Sequence, residues 1–200
     1  MKRRNIPAAG VTERVLLLAG VVMLGRWVLV TQEARAYQTW AATVVDSVAQ
    51  RGDPANRIAP MGQEVIGRIQ IPRLGTSALI AEGVAPGTLR RAVGHVPSTA
   101  LPGEPGNVVL AAHRDTYFKG IGKLRPGDTV RLQIHRRTYL YRIESSQVVA
   151  ADAIEVMRPT RQAALTLVTC YPFSMLGPAP RRYVVRAHLV GWESEAIAQR

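Results

Sequence analysis

From residue 64 onward, hydrophobic and polar positions alternate in short runs that Gly- and Pro-rich turns separate, a pattern typical of β-strands. Two runs are apolar on both faces, as in central strands. The candidate strands are residues 65–71, 107–112, 129–134, 138–143, 148–150, 164–169 and 182–190. Short helices are expected near residues 88–93 and 119–124. The pattern predicts a mainly β fold, a closed or nearly closed β-barrel of about 7–8 strands with short helices.

The N-terminal part of the chain has a different pattern. An apolar stretch runs from Val15 to Val30, Arg26 alone interrupts it, and basic residues precede it. Such a segment predicts a single-pass membrane helix with the N-terminus in the cytoplasm and the remaining chain outside. A cleaved signal peptide, with its site at Ala34-Arg35-Ala36, is the main alternative, and a buried amphipathic helix is the third.

These patterns divide the chain into four parts. The helical pattern after the apolar stretch predicts a stalk that Gly52 and Pro54 end. The predicted parts are a cytoplasmic tail and transmembrane anchor (1–31), a helical stalk or linker (32–60), a β-barrel domain (61–192) and a C-terminal tail (193–200).

Composition and charge narrow the function. Hydrophobic residues make up 47% of the chain, enough for a substantial core. The formal net charge is +12, but the basic residues are scattered and no nucleic-acid-binding motif accompanies them. We therefore expect no nucleic-acid partner, and a basic surface close to an anionic membrane explains the charge better.

The chain has one cysteine, Cys170, which rules out an internal disulfide. It ends an apolar strand and Tyr171-Pro172 follows, so the thiol is expected beside a loop. A buried, inert cysteine is the simpler interpretation. A nucleophilic thiolate needs a nearby base. His113 also ends an apolar strand, and the two side chains are expected to meet at one rim of a barrel.

An arginine would complete such a site, because a guanidinium stabilises the negative charge that acyl transfer places on a carbonyl oxygen. Arg182 and Arg181 both open the last strand, face opposite sides and are not separable by spacing. The histidines at 95, 135 and 188 are interpreted as structural or exposed, His95 as a residue that holds a loop. No metal or cofactor site is predicted, because metal-ligand spacings and phosphate-binding loops are missing from the sequence.

Four segments resemble the sortase family of cysteine transpeptidases. Residues 166–170 match its TLxTC motif, and residues 107–115 resemble the strand that leads to its catalytic histidine. Residues 182–187 resemble its arginine-bearing strand, and residues 67–72 its first barrel strand. The order His, Cys, Arg also agrees. The resemblance covers residues 62–192, and the short loop after the cysteine is similar to class D-like sortases of Gram-negative bacteria.

The resemblance implies a mechanism and its residues. Cys170 would attack a carbonyl of an LPxTG-like sorting signal in a protein substrate, and His113 would act as acid and base. An amine acceptor, a wall precursor or a protein, would resolve the thioester. Arg182, chosen over Arg181 by this match, would stabilise the oxyanion. Thr169 and Asp115 are placed beside the substrate. The implied location is the inner membrane, with the catalytic domain on the extracytoplasmic side.

Two other functions remain open on the sequence. One is a different thiol enzyme, either a peptidase or a transpeptidase that cross-links the cell wall directly. The other is a membrane-tethered β-barrel binding module without catalysis, in which Cys170 is structural.

Overall fold

A computed structural model of the chain describes residues 8–51, 64–175 and 177–194. The helices are α1 (Ala8–Arg51) and α2 (Pro86–Arg91), with short 3-10 turns at Pro72–Leu74, Ile121–Lys123 and Ile154–Met157. The strands are β1 (Val65–Ile71), β2 (Thr76–Glu82), β3 (Val93–His95), β4 (Asn107–Ala111), β5 (Thr129–Ile134), β6 (Arg137–Ala150), β7 (Ala164–Tyr171) and β8 (Arg181–Ser194). The first residues of the predicted tail, the end of the predicted linker with the domain boundary, and residues 195–200 lie outside the described residues.

The strands form a closed barrel in the order β1-β2-β3-β4-β7-β8-β6-β5, and β5 pairs with β1 to close it. The predicted fold class is therefore confirmed for the barrel, with eight strands. Most neighbours are antiparallel, but β4 and β7 run parallel, as do β2 and β3. The parallel pair matters for function, because both strands then end at the same edge of the sheet.

Two details of the strand pattern differ from the sequence prediction. The run at 138–143 and the short run at 148–150 belong to one strand, β6, whose pairing with β8 shifts register between Ile143 and Ser145. The strands β2 and β3 were not predicted. In β2, residues 78–81 are buried in succession, so the alternation that marks a strand with one exposed face is missing.

Side-chain direction separates the inside of the barrel from its outer face. The main hydrophobic core contains Leu110 of β4, Ala112 directly after β4, Leu167 of β7 and Val185 of β8. Because successive side chains of a strand point to opposite faces, the even positions of β7 and β8 and the odd positions of β4 face outward.

Helix α1 packs on the outside of the barrel. Tyr37 is buried in a second cluster with Val65, Leu79, Ala81 and Ala92. The Gln38 side chain accepts a hydrogen bond from the Leu79 backbone N–H at 3.2 Å and donates to the Arg91 carbonyl.

Gln38 also contacts the turn that follows β4. Its amide nitrogen lies 3.3 Å from the Tyr117 hydroxyl, which donates to the Arg91 carbonyl at 2.6 Å. Burial raises the pKa of Tyr117 above its usual value, so the hydroxyl stays a proton donor at neutral pH. The helix is therefore attached to the turn after β4 as well as to β2.

The sequence also predicted a membrane helix at the N-terminus. Over the described residues, no helix is both long enough and apolar enough to span a membrane. The helix itself forms, and its large apolar residues between Val15 and Leu29 are exposed. Glu13 and Arg14 directly precede this apolar part of the helix, and Arg26 interrupts it. The predicted transmembrane anchor is therefore not supported.

Candidate active site

Strands β4 and β7 bring two of the predicted site residues together. Their parallel register pairs Ala111 with Val168, and the Ala112 backbone N–H donates to the Val168 carbonyl at 3.2 Å. Two residues further along each strand lie His113 and Cys170, both on the outward-facing side. The register therefore places residues 113 and 170 at neighbouring positions at the same edge of the sheet.

The third predicted residue lies on the other side of the cysteine. In the antiparallel pair of β7 and β8, Cys170 is directly opposite Arg182, and Tyr171 is opposite Arg181. Directly opposed residues project from the same face of a sheet. The guanidinium of Arg181 packs instead over the Tyr171 ring, 5.3 Å from its centroid. The structure thus places Arg182, and not Arg181, on the face that carries the cysteine.

Cys170 is a free, partly exposed thiol. His113 is also partly exposed, and among the described residues its ring makes no hydrogen bond. A partly exposed thiol beside an uncommitted imidazole can pass a proton to it and react with an incoming carbonyl. A cysteine buried in the core would do neither.

Arg182 is held in position by backbone oxygens. Its Nη1 donates to the carbonyls of Ala179 and Arg181, each at 3.0 Å. A guanidinium has five N–H groups in a rigid fork, so two bonds from one nitrogen fix the fork and leave Nη2 and Nε to face a substrate oxygen. The arrangement suits an oxyanion-stabilising group, which needs a fixed orientation before the charge develops.

Three aromatic rings contact one another near the end of β7, close to Cys170 in the sequence. Tyr171 stacks on Tyr183 with a centroid distance of 6.2 Å, and Phe173 contacts both edge-on at 5.3 and 5.2 Å. A Cβ at Gly122 would lie 2.6 Å from the Phe173 ring, so this close approach requires glycine. Tyr171 and Tyr183 project from the face of the sheet opposite to Cys170, so these ring contacts leave the cysteine's face free.

Thr169 does not lie on the reactive face. It is 2% exposed, and its hydroxyl donates to the Ala112 carbonyl at 2.7 Å. This bond ties β7 to the residue before His113, so Thr169 acts on the site by joining the two strand ends. The substrate contact predicted for it stays a prediction. Asp115 is exposed on the turn after His113, and its predicted substrate contact stays a prediction.

The other histidines hold structural positions. His95 is 2% exposed, and its Nδ1 lies 2.7 Å from a Glu82 carboxylate oxygen. Its Nε2 lies 3.1 Å from the Ala100 carbonyl and 3.0 Å from the Thr99 hydroxyl. His95 therefore holds the connection after β3, as the sequence suggested. His188 is exposed and pairs with Glu144 at 2.8 Å.

The sequence analysis missed Arg114, the residue after His113. Its Nη2 donates to the carbonyls of Met175 and Gly177, in the segment that joins β7 and β8. No signal in the sequence identifies these partners, because they are backbone atoms more than 60 positions away.

The analysis also missed an anchor on the outer face of the barrel. The Asn107 amide donates to the carbonyls of Val156 and Arg158, and the Thr166 hydroxyl donates to the Asn107 oxygen at 2.7 Å. Arg186 donates to Val156 as well. These bonds hold the connection between β6 and β7 against the outward-facing side of β4, β7 and β8.

Within the described ranges, no group of three or more His, Cys, Asp or Glu residues is arranged to hold a metal ion. The three predicted site residues carry a thiol, an imidazole and a guanidinium.

Known proteins resemble this chain in sequence and in fold. The sortase domain family matches residues 69–190. Sortase D of Bacillus subtilis is 35% identical over 127 residues, 63% of this chain and 64% of that protein. Sortase SrtE1 of Streptomyces coelicolor is 30% identical over 188 residues, 84% of this chain and 53% of that protein. The chain thus spans between half and two thirds of the length of these relatives.

A solved structure of a Sortase D5 transpeptidase from Clostridium perfringens has a similar fold. It superposes with a TM-score of 0.59 at 31% identity and covers 64% of this chain and 80% of that one. None of these three organisms supports the predicted Gram-negative origin. The sortase domain match runs from within β1 to within β8 and includes His113, Cys170 and Arg182. The chain belongs to the sortase family.

Proposed function

We propose that this chain is a cysteine transpeptidase that cleaves an LPxTG-like sorting signal and transfers the acyl group to an amine. The observation that carries the proposal is the position of Cys170. It is partly exposed, directly opposite Arg182 and level with His113 on the same outer face. Membership of the sortase family supports the reaction class.

In the first step the Cys170 thiolate attacks the carbonyl carbon of the scissile amide. The carbonyl oxygen becomes negatively charged and accepts hydrogen bonds from the free N–H groups of Arg182. The carbon–nitrogen bond then breaks, and His113 gives its proton to the leaving amine. The product is a thioester between Cys170 and the N-terminal part of the substrate.

In the second step a primary amine attacks the thioester and transfers its proton to His113. The carbon–sulfur bond breaks, and the thiolate of Cys170 returns with a new amide as the product. A thioester keeps enough acyl-transfer potential for amide synthesis, provided that water stays out of the site.

The decisive test is mass spectrometry of Cys170 after incubation with LPxTG-like peptides. A thioester adduct on wild type, absent from a folded Cys170→Ala variant, would establish the nucleophile and the signal together. Addition of an amine then separates the alternatives. An amide product supports transpeptidation, whereas hydrolysis alone supports a thiol peptidase. A folded wild type that forms no adduct with any peptide would support a non-catalytic module.

We also propose a class D-like subclass. The segment that joins β7 and β8 is short, and the similar proteins include Sortase D of Bacillus subtilis and a Sortase D5 transpeptidase. A panel of sorting peptides that differ at single positions, measured against the same amine, tests whether the chain shares the preference of those enzymes.

The location proposed for the domain is outside the cytoplasm, as the basic residues before the apolar stretch predict. A thiol reagent that cannot cross membranes should label Cys170 in intact cells, with the Cys170→Ala variant as control. Labelling only after lysis would place the domain in the cytoplasm.

A further inference from the structure

Arg114 connects the two halves of the site. It follows His113 directly in the sequence, yet its guanidinium reaches the segment after Cys170. Nη2 donates to the carbonyl of Met175 and, at 2.9 Å, to that of Gly177. One nitrogen therefore binds two carbonyls of the same segment. We call the described residues between these strands, 172–175 and 177–180, the β7–β8 loop.

The same loop is also bound by Arg182, whose Nη1 donates to the Ala179 carbonyl. Three loop carbonyls are thus fixed by two arginines, one beside His113 and one opposite Cys170. A loop without strand pairing depends on such side-chain contacts for its position. The position of this loop therefore follows from residues of the site itself.

The remaining nitrogen of Arg114 is unusual. Nη1 is buried and has no hydrogen-bond partner in the part of the chain that the structure describes. A buried donor without an acceptor is unfavourable, and such groups in folded proteins call for an explanation. The unfavourable burial of Nη1 accompanies the two hydrogen bonds that Nη2 makes to the loop, and we take these bonds as the compensating interaction.

We propose that Arg114 is a positioning residue that holds the β7–β8 loop over the acyl-enzyme, so that an amine and not water resolves the thioester. This inference rests on the proposed transpeptidase function. A loop that moves away admits water to the thioester, and hydrolysis then competes with amide formation. Attack by Cys170 needs only the thiol, His113 and Arg182, so it depends less on the loop.

The test compares wild type with Arg114→Ala and Arg114→Lys, using an LPxTG-containing peptide and triglycine as the amine. Amide and hydrolysed products are counted by mass spectrometry. For Arg114→Ala we expect the ratio of amide to hydrolysed product to fall about tenfold, while thioester formation changes by less than about threefold. Lysine has one point-like charge and cannot replace the fork, so Arg114→Lys should restore only part of the ratio.

The control is Arg131→Ala, an exposed arginine on β5 that lies three strands from β7 in the barrel. It should leave both measurements unchanged. An unchanged ratio in Arg114→Ala would overturn the inference. So would an equal loss of thioester formation and amide product, because a merely structural role predicts that result. Should Arg114→Ala fail to fold, the same criteria apply to Arg114→Lys.

A second measurement separates this inference from the proposed function. Hydrogen exchange of residues 173–179 should become faster in Arg114→Ala and stay unchanged in Arg131→Ala, with or without any peptide. If wild type forms no thioester while exchange changes as expected, the transpeptidase proposal fails and the loop clamp stands. If thioester forms and exchange is unaffected, the clamp fails alone.

Discussion

His95 ends β3 and His113 follows the neighbouring strand β4, but their surroundings are opposite. His95 is almost fully buried, and both of its ring nitrogens have partners in Glu82, Thr99 and Ala100. His113 is partly exposed, and its ring is uncommitted among the described residues. An imidazole whose nitrogens are all bonded stabilises a fold, whereas one with free nitrogens beside a thiol can move protons.

The largest difference between the two histidines should be in activity. We expect His113→Gln to lower the transfer rate about a thousandfold, because the reaction loses its proton donor and acceptor. His95→Gln, measured per folded molecule, should stay within about threefold of wild type. The rate of amide formation from a sorting peptide checks both variants. Equal losses in the two folded variants would contradict the distinction.

Stability should show the reverse order. His95→Gln removes buried hydrogen bonds and leaves groups around Glu82 without their partner, so the free energy of unfolding should fall by about 2 kcal/mol. His113→Gln replaces a partly exposed side chain and should change it by less than about 0.5 kcal/mol. Urea denaturation followed by fluorescence measures both. A larger loss in His113→Gln would refute the structural role assigned to His95.

The sequence indicated β1 from its alternation and β4 and β7 from their continuous apolar runs, but it missed β2, whose outer face helix α1 covers. Residues 65–71 alternate between buried and partly buried positions and were predicted as a strand. In β2, however, helix α1 covers the outer face with Tyr37, so residues 78–81 are all buried. The covering helix is a tertiary feature, and no local pattern in β2 announces it.

The site was predictable to a similar extent. Cys170 and His113 were predicted as site residues because each ends an apolar run, a local property. The choice between Arg181 and Arg182 came from family resemblance, and the register of β7 and β8 now gives it a physical basis. The loop contacts of Arg114 could not be predicted from the sequence, because every residue has a backbone carbonyl and the sequence does not show which one an arginine will bind.

A third prediction concerns the bond that keeps His113 beside Cys170. Thr169→Val keeps the shape of the side chain but removes the hydroxyl that donates to the Ala112 carbonyl. We expect kcat/KM to fall about tenfold, since a small displacement of a catalytic group is expensive in rate. Steady-state kinetics with a sorting peptide measures the effect.

Thr166→Val is the matched control, because this buried threonine of the same strand bonds to Asn107 at 2.7 Å, away from His113. Both variants should lose about 1 kcal/mol of stability. Only Thr169→Val should lose activity to the stated extent. Similar kinetics for the two variants would show that the Thr169 bond does not position His113.

The smallest effect is expected where α1 supports the turn after His113. Gln38→Ala removes the acceptor of the buried Leu79 N–H and the contact with Tyr117, so the free energy of unfolding should fall by about 1 kcal/mol. Activity per folded molecule should stay within about twofold, because the support reaches His113 only through the turn. Thr39→Ala is the control, since this hydroxyl bonds only to carbonyls of its own helix. If Gln38→Ala and Thr39→Ala have the same free energy of unfolding, the Gln38 contacts do not stabilise the turn after His113. In that case His113 would receive no measurable support from α1, whereas His95 supports the connection after β3 by direct hydrogen bonds.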